Sequence, residues 1–394
     1  MKRVLQVAFS TLLGSIIPIA VWMVLGLIVD SSISQVFTIT YPLQFIFSVI
    51  LTYFGTGPCI YKEKHGIDTR FAHLIYMILL GGALHVLLAV NVDTYLSFMK
   101  CTQVTPTQRL FVQYSILQLY LTGIFYITQE IRYFNNKESA ATKYSIVFNA
   151  LLFVPITLIS LTGNLIAAVV TSLLLLALFV LYSVFTVREA TQWFISPIKV
   201  VKYICTSLSV DIMYFLIFAI GLSNMNNLNP VALVSYNFVT LITDTQWDTI
   251  NALTTVTRVD ISKGCFHKRE GIKNGYKLLS ILVCSIFVMS CGYSIYGVEL
   301  SMMLVMLGLE LPGFLLSPLY KIQLVELELN HNPLISLSIR FSLCVLRVLL
   351  CLIPYTYMLS ITALITTSLL TILSTVCLRF CNKKSKIVRK EVIV

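Results

Sequence analysis

Leu173-Leu-Leu-Leu-Ala-Leu-Phe-Val-Leu-Tyr-Ser-Val-Phe185 carries no charge and shows no alternation of polar and apolar residues. A transmembrane β-strand faces lipid and lumen on successive residues, so its polarity alternates. Only helices and closed barrels satisfy their backbone groups in lipid, so this run reads as a membrane helix. The same character extends outward almost from end to end. Of 394 residues, 57% are hydrophobic and 11% charged, against about 25% charged in a soluble domain. The expected fold is an all-α integral membrane protein with no separate soluble domain. Met1-Lys2-Arg3 before an apolar run has the look of a signal peptide. That run reaches Val29 with no small-residue cleavage site, so it reads as the first span.

Taking roughly 20 apolar residues per crossing gives about twelve spans: residues 4–29, 36–61, 71–92, 110–131, 144–161, 164–185, 200–222, 231–256, 278–296, 302–324, 334–354 and 357–380. Thr162-Gly163 and Pro354-Tyr355 leave so little chain between neighbouring spans that each pair is expected to form a tight helical hairpin. Traced alternately in and out, the loops place Lys100 and Arg109 outside and Arg347 within a span, while the remaining lysines and arginines fall inside. The positive-inside rule then puts both termini in the cytoplasm. The net charge of +11 is accounted for by topology and contact with anionic lipid, not by nucleic acid.

The chain also reads as duplicated. Residues 1–186 form one expected six-helix lobe, 187–199 a cytoplasmic linker, 200–381 a second six-helix lobe, and 382–394 a basic cytoplasmic tail. In both halves the loop after the second span is basic. Ser145-Ile-Val-Phe148 recurs as Ser338-Ile-Arg-Phe341 at the same place in the repeat. An even number of spans per half gives both halves the same orientation, as in parallel-repeat transporters. Such folds place substrate at mid-membrane in a cleft between the halves.

Four acids fall inside spans of the second half: Asp211, Asp244, Asp248 and Glu310. A carboxylate at bilayer depth costs several kcal/mol, so such residues face protein or water and mark ion or proton pathways. Asp211 has hydroxyls of Ser207 and Tyr214 about one turn away. It reads as a cation or proton site, or as a structural partner of Arg347. Asp244 and Asp248, four residues apart, share a helix face in a segment rich in threonine. They line a cavity, or sit on a solvated helix end. Glu310 precedes Pro312-Gly313, which reads as a break in the helix beside an acid, or as a mere kink. Asp30 ends the first span, either as part of a site or as an interface marker. His85 reads as a neutral hydrogen-bonded residue, and Trp22, Trp193 and Trp247 as packing or interfacial residues.

Several signals are absent. No GxxxxGK[ST], HExxH or GxSxG sequence occurs, so no enzyme of those kinds and no ATP hydrolysis is expected. The ten cysteines form no CxxC pair, and Cys377 and Cys381 read as small apolar residues rather than a disulfide or zinc site.

Against this background, Tyr133-Phe-Asn-Asn-Lys-Glu-Ser-Ala-Ala-Thr-Lys143 with Asn149 resembles the fourth-to-fifth-span connection of the MATE (multidrug and toxic compound extrusion) transporters of the MOP flippase superfamily. Thr254-Thr-Val-Thr-Arg258 and Lys263-Gly264 resemble the end of that family's eighth span. The resemblance covers nearly the whole chain. It implies cation-coupling acids on the seventh and tenth spans, which Asp211 and Glu310 match, and an acid on the first span, which Asp30 matches. Asp244 and Asp248 are an addition to the pattern.

The reading is a divergent MATE-like antiporter of the cell membrane, exporting an organic, cationic or amphiphilic substrate against H+ or Na+. Asp211 and Glu310 would hold the ion; Asp244, Asp248, Asp30 and Tyr214 would line the cleft. A lipid-linked oligosaccharide flippase of the same superfamily is the alternative, and a polytopic enzyme or receptor a more distant one. No cofactor beyond the coupling ion, no nucleic-acid partner and a monomer are expected.

Overall fold

The computed structural model describes residues 1–99, 101, 104–189, 191–193, 199–200, 203–204, 212, 230–294, 300–330, 334–335, 337–342, 345, 369 and 371–381. All regular structure among these residues is helical. Six helical stretches among them are long and apolar enough to cross a membrane: Lys2–Ile28, Ile39–His65, Arg70–Val90, Pro106–Phe134, Glu138–Ser160 and Leu165–Thr186. The first is α1, Lys2–Ile28. The second comprises α2, Ser34–Leu51, a π turn at Thr52–Thr56, and α3, Gly57–His65. The third is α4, Arg70–Tyr76, a π turn at Met77–Gly81, and α5, Gly82–Val90. A short helix not expected from the sequence, α6 (Val92–Phe98), follows. Then come α7, Pro106–Phe134, α8, Glu138–Ser160, and α9, Leu165–Thr186. The second half contributes α10, Pro230–Ser262, α11, Lys268–Ser294, α12, Leu300–Asn330, and α13, Thr371–Cys381.

Local chemistry sets the ends of these helices. Thr105 and Gln108 form a reciprocal capping box ahead of α7, with bonds of 3.1 and 2.9 Å, and Pro106 follows at the first helical position. Gly66 ends α3 at φ 71°, its N–H donating to the Lys62 carbonyl. Between α8 and α9, Gly163 takes φ 79° and Asn164 caps the next helix by accepting from Ala167 N at 3.0 Å. Thr162-Gly163 is thus the tight hairpin its sequence suggests. The second expected hairpin, Pro354-Tyr355, lies outside the described residues.

The chain divides into two compact units: Leu13–Ile204, and Met1–Leu12 with Cys205–Val394. In the first, α7 runs through the core, with Phe111, Tyr114, Phe125 and Phe134 fully buried. Trp22 meets Phe111 and Tyr114 edge-on at 6.0 Å, so it packs rather than presenting a ligand platform. Phe125 stacks on Phe148 of α8 at 4.1 Å. The outer faces of α8 and α9 expose Val154, Leu158, Leu174 and Leu178, as helices turned to lipid require. In the second unit, Gly275 of α11 lets α10 and α12 close in. A Cβ there would lie 2.8 Å from Pro318 and 2.9 Å from Leu253.

Each unit uses the basic loop after its second span in the same way. In Leu13–Ile204, the buried Arg70 grips Asp68 through two hydrogen bonds of 3.1 and 2.7 Å and reaches Asn135 at 2.9 Å and Glu189. Lys62 pairs with Asp68 at 2.8 Å and Glu189 at 3.0 Å. The segment read as a linker is fastened here: Gln192 N donates to the Asp68 carbonyl, and Tyr76 Oη to the Trp193 carbonyl. Tyr203 joins His65 at 2.8 Å, so this unit continues through Ile204. In the other unit, Arg258 pairs with Glu328 at 3.4 Å, Lys268 with Glu326, and Arg3 with Asp260.

Candidate cation and substrate site

Of the acids singled out in the second half, Asp244 and Asp248 lie on α10 and Glu310 on α12. Trp247 of α10 meets Phe314 of α12 edge-on at 5.9 Å, and Lys321 lies over the same indole at 5.5 Å. Further along both helices Arg258 reaches Glu328. Contacts that advance together along two helices mean the helices run parallel. Thr243 and Glu310, one turn before Trp247 and Phe314, therefore stand at one level.

Glu310 is buried, 8% exposed. The expected helix break beside it does not occur: α12 continues unbroken through Pro312, Gly313 and Pro318. Proline deprives only the carbonyl four residues earlier of its partner. Here that residue is Gly308, where no side chain crowds the backbone. Neighbouring helices in a bundle support such a kink without unwinding it. What Pro312 deprives of a helical partner is one backbone carbonyl, that of the exposed Gly308, across the helix from the buried Glu310.

Asp244 is half-buried and Asp248 exposed, one turn apart on the same side of α10. The threonines around them are largely packed inside. Thr243, Thr245 and Thr249 are buried, and Thr249 bonds back to the Thr245 carbonyl at 2.7 Å. Gln246, fully buried, accepts from Ser285 of α11 at 3.0 Å. The polarity of this segment is thus spent in part on helix packing, leaving Asp244 and Asp248 on the remaining face. Asp211 and Tyr214 lie outside the described residues. Asp30 is exposed just past α1, its carbonyl accepting from Ile33 N at 2.9 Å.

Leu13–Ile204 holds a further acid that was not singled out from sequence. Glu130 lies inside α7 and accepts a hydrogen bond from Thr56 at 3.3 Å. Thr56 closes the π turn Thr52–Thr56, and such turns recur at functional sites. The available signal was its position within the fourth expected span, 110–131. His85 behaves as its sequence reading has it. It is buried between Phe47 and Tyr120, with ring centroids 4.2 and 5.1 Å away, and its Nδ1 bonds to the Gly81 carbonyl. Among the described residues no group of His, Cys, Asp and Glu forms a metal cage.

No sequence-family model matches the chain, and no curated sequence matches it. Solved structures do. A multidrug resistance MATE family transporter of the MOP superfamily, in an outward-facing conformation, matches with TM-score 0.74 at 13% identity, over 98% of this chain and 96% of that one. A MATE structure in complex with MaD5 matches at TM-score 0.69 and 14% identity, with 98% and 96% covered. A MOP superfamily transporter from Pyrococcus furiosus, whose binding pocket has a reverse polarity suggesting a different function, matches at 0.66 and 14%, with the same coverage. The chain has the fold of these membrane transporters.

Proposed function

We propose, from the premise of a MATE fold, that the chain is a secondary active exporter working by alternating access. An inward flow of H+ or Na+ drives an organic substrate outward. The observation that carries this reading is the burial of Glu310 on α12, at the level where α10 packs against it. Burial raises a carboxylate's affinity for a proton, and a bound cation lowers it again. A buried acid is therefore suited to exchanging a coupling ion. Asp211, on the expected seventh span, is the second member of the ion site. Asp244 and Asp248 attract a cationic substrate, and the protein lies in the cell membrane with both termini cytoplasmic.

The test is flux in proteoliposomes under separate sodium and proton gradients, with a panel of organic cations and an amphiphilic lipid. Gradient-dependent efflux of a cation supports the reading and names the ion. Movement of the lipid with no dependence on either gradient replaces it with an uncoupled flippase.

A further inference from the structure

The paired cations at the charged end of Leu13–Ile204 make one exception conspicuous. Arg132, on α7 one turn before Asn135, is 3% exposed, yet no carboxylate among the described residues pairs with it. Its partners are neutral. Nη1 donates to Thr128 Oγ1 at 2.8 Å, and Nη2 to Ser183 Oγ at 3.0 Å, the Ser183 carbonyl at 3.2 Å and Thr186 Oγ1 at 2.7 Å. The Tyr144 ring covers the guanidinium at 3.9 Å. The C-terminal carbonyls of α9 offset about half an elementary charge. The remainder of a buried positive charge calls for an anion.

The surface above it is suited to a lipid. Tyr144 stacks parallel to Tyr182 at 6.1 Å, and Tyr182 is 57% exposed. Lys143 and Arg188, on either side, are exposed and pair with no acid among the described residues. By contrast Lys62 and Arg70 at the same end share Asp68 and Glu189. Exposed apolar side chains, Val147, Leu181 and Phe185, flank the tyrosines. A soluble anion has no use for that apolar border, whereas a phospholipid meets it with its acyl chains.

We propose that Tyr144, Tyr182, Lys143 and Arg188, lying over the buried charge of Arg132, bind the phosphodiester headgroup of an anionic phospholipid at the membrane face of this lobe. Lys143 and Arg188 supply the attraction expected between juxtamembrane basic residues and anionic lipid. The tyrosine pair is all that separates the charge of Arg132 from the surface, and it sits at headgroup level, as interfacial aromatics do.

The test measures the unfolding temperature of the detergent-solubilised protein with phosphatidylglycerol, phosphatidylcholine or inorganic phosphate at equal phosphate concentration. Phosphatidylglycerol alone is expected to raise it. The surface double variant Lys143→Ala/Arg188→Ala is expected to lose most of that rise, and Tyr182→Phe part of it; neither removes a buried contact. A rise that is the same in the double variant overturns the proposal, as does an equal rise with phosphatidylcholine or with inorganic phosphate. Arg132→Gln can fail to fold and is therefore not the deciding variant.

Discussion

Trp247 on α10 meets Phe314 on α12 edge-on at 5.9 Å, and this contact fixes the level at which the buried Glu310 stands. Lys321 also lies over the indole at 5.5 Å. Trp247→Ala therefore removes the wedge that sets the two helices. Trp247 is half-buried, so the loss falls below the about 3–5 kcal/mol of a fully buried aromatic. The expected outcome is a lower unfolding temperature together with weakened transport. Trp247→Phe, which keeps a ring, is expected to recover most of both.

Arg70 is the centre of the charged cluster. It is 2% exposed and serves Asp68, Asn135 and Glu189 together. Arg70→Ala leaves two carboxylates without their main cation, and breaking a buried pair in this way costs about 3–5 kcal/mol. Chemical denaturation in detergent is expected to show that loss. Arg70→Lys, a point charge without the two-pronged grip, is expected to recover only part of it.

The same cluster sets an acid limit on stability. Burial pushes the Asp68 carboxyl up, but hydrogen bonds from Arg70 and Lys62 outweigh it and hold the group well below the usual carboxylate range. The folded value is depressed relative to the unfolded one, so its contribution is complete above about pH 4 and is lost as the pH falls below that. Unfolding temperature measured between pH 7 and pH 3 should be level in its upper range and drop at the acid end. Asp68→Asn should be less stable at neutral pH and lack that part of the drop.

Gly275 is expected to tolerate no side chain cheaply. A Cβ would press on the Pro318 ring and Leu253 at under 3 Å. Gly275→Leu overfills a helix crossing, with a typical penalty of about 1–3 kcal/mol. Gly163, at φ 79° with open space around it, should behave differently. Gly163→Ala there is opposed only by the strain of a left-handed backbone, about 1–2 kcal/mol. Comparing the two unfolding temperatures separates packing from conformation.

The membrane fold was legible because apolar length is a one-dimensional signal. The run ending at Phe185 appears as α9, and Thr162-Gly163 as a turn, because each depends on neighbouring residues alone. What stayed hidden depends on residues brought together from afar. Glu189 looked like part of a linker, yet Lys62 and Arg70 hold it against Asp68. Glu130 stands out only once the π turn brings Thr56 to it. Pro312-Gly313 looked like a break because sequence shows the lost hydrogen bond and not the neighbouring helices that make it tolerable. The threonines around Asp244 looked like a ligand-lining face, but several are buried in helix packing. Composition cannot tell these uses apart.

The most direct test of ion coupling is gradient-driven flux in proteoliposomes for wild type, Glu310→Gln and Asp211→Asn, with unfolding temperatures recorded alongside. The account predicts that each variant folds with a near-normal unfolding temperature and that its flux no longer responds to the gradient that drives the wild type. Wild-type gradient dependence retained in Glu310→Gln would contradict it.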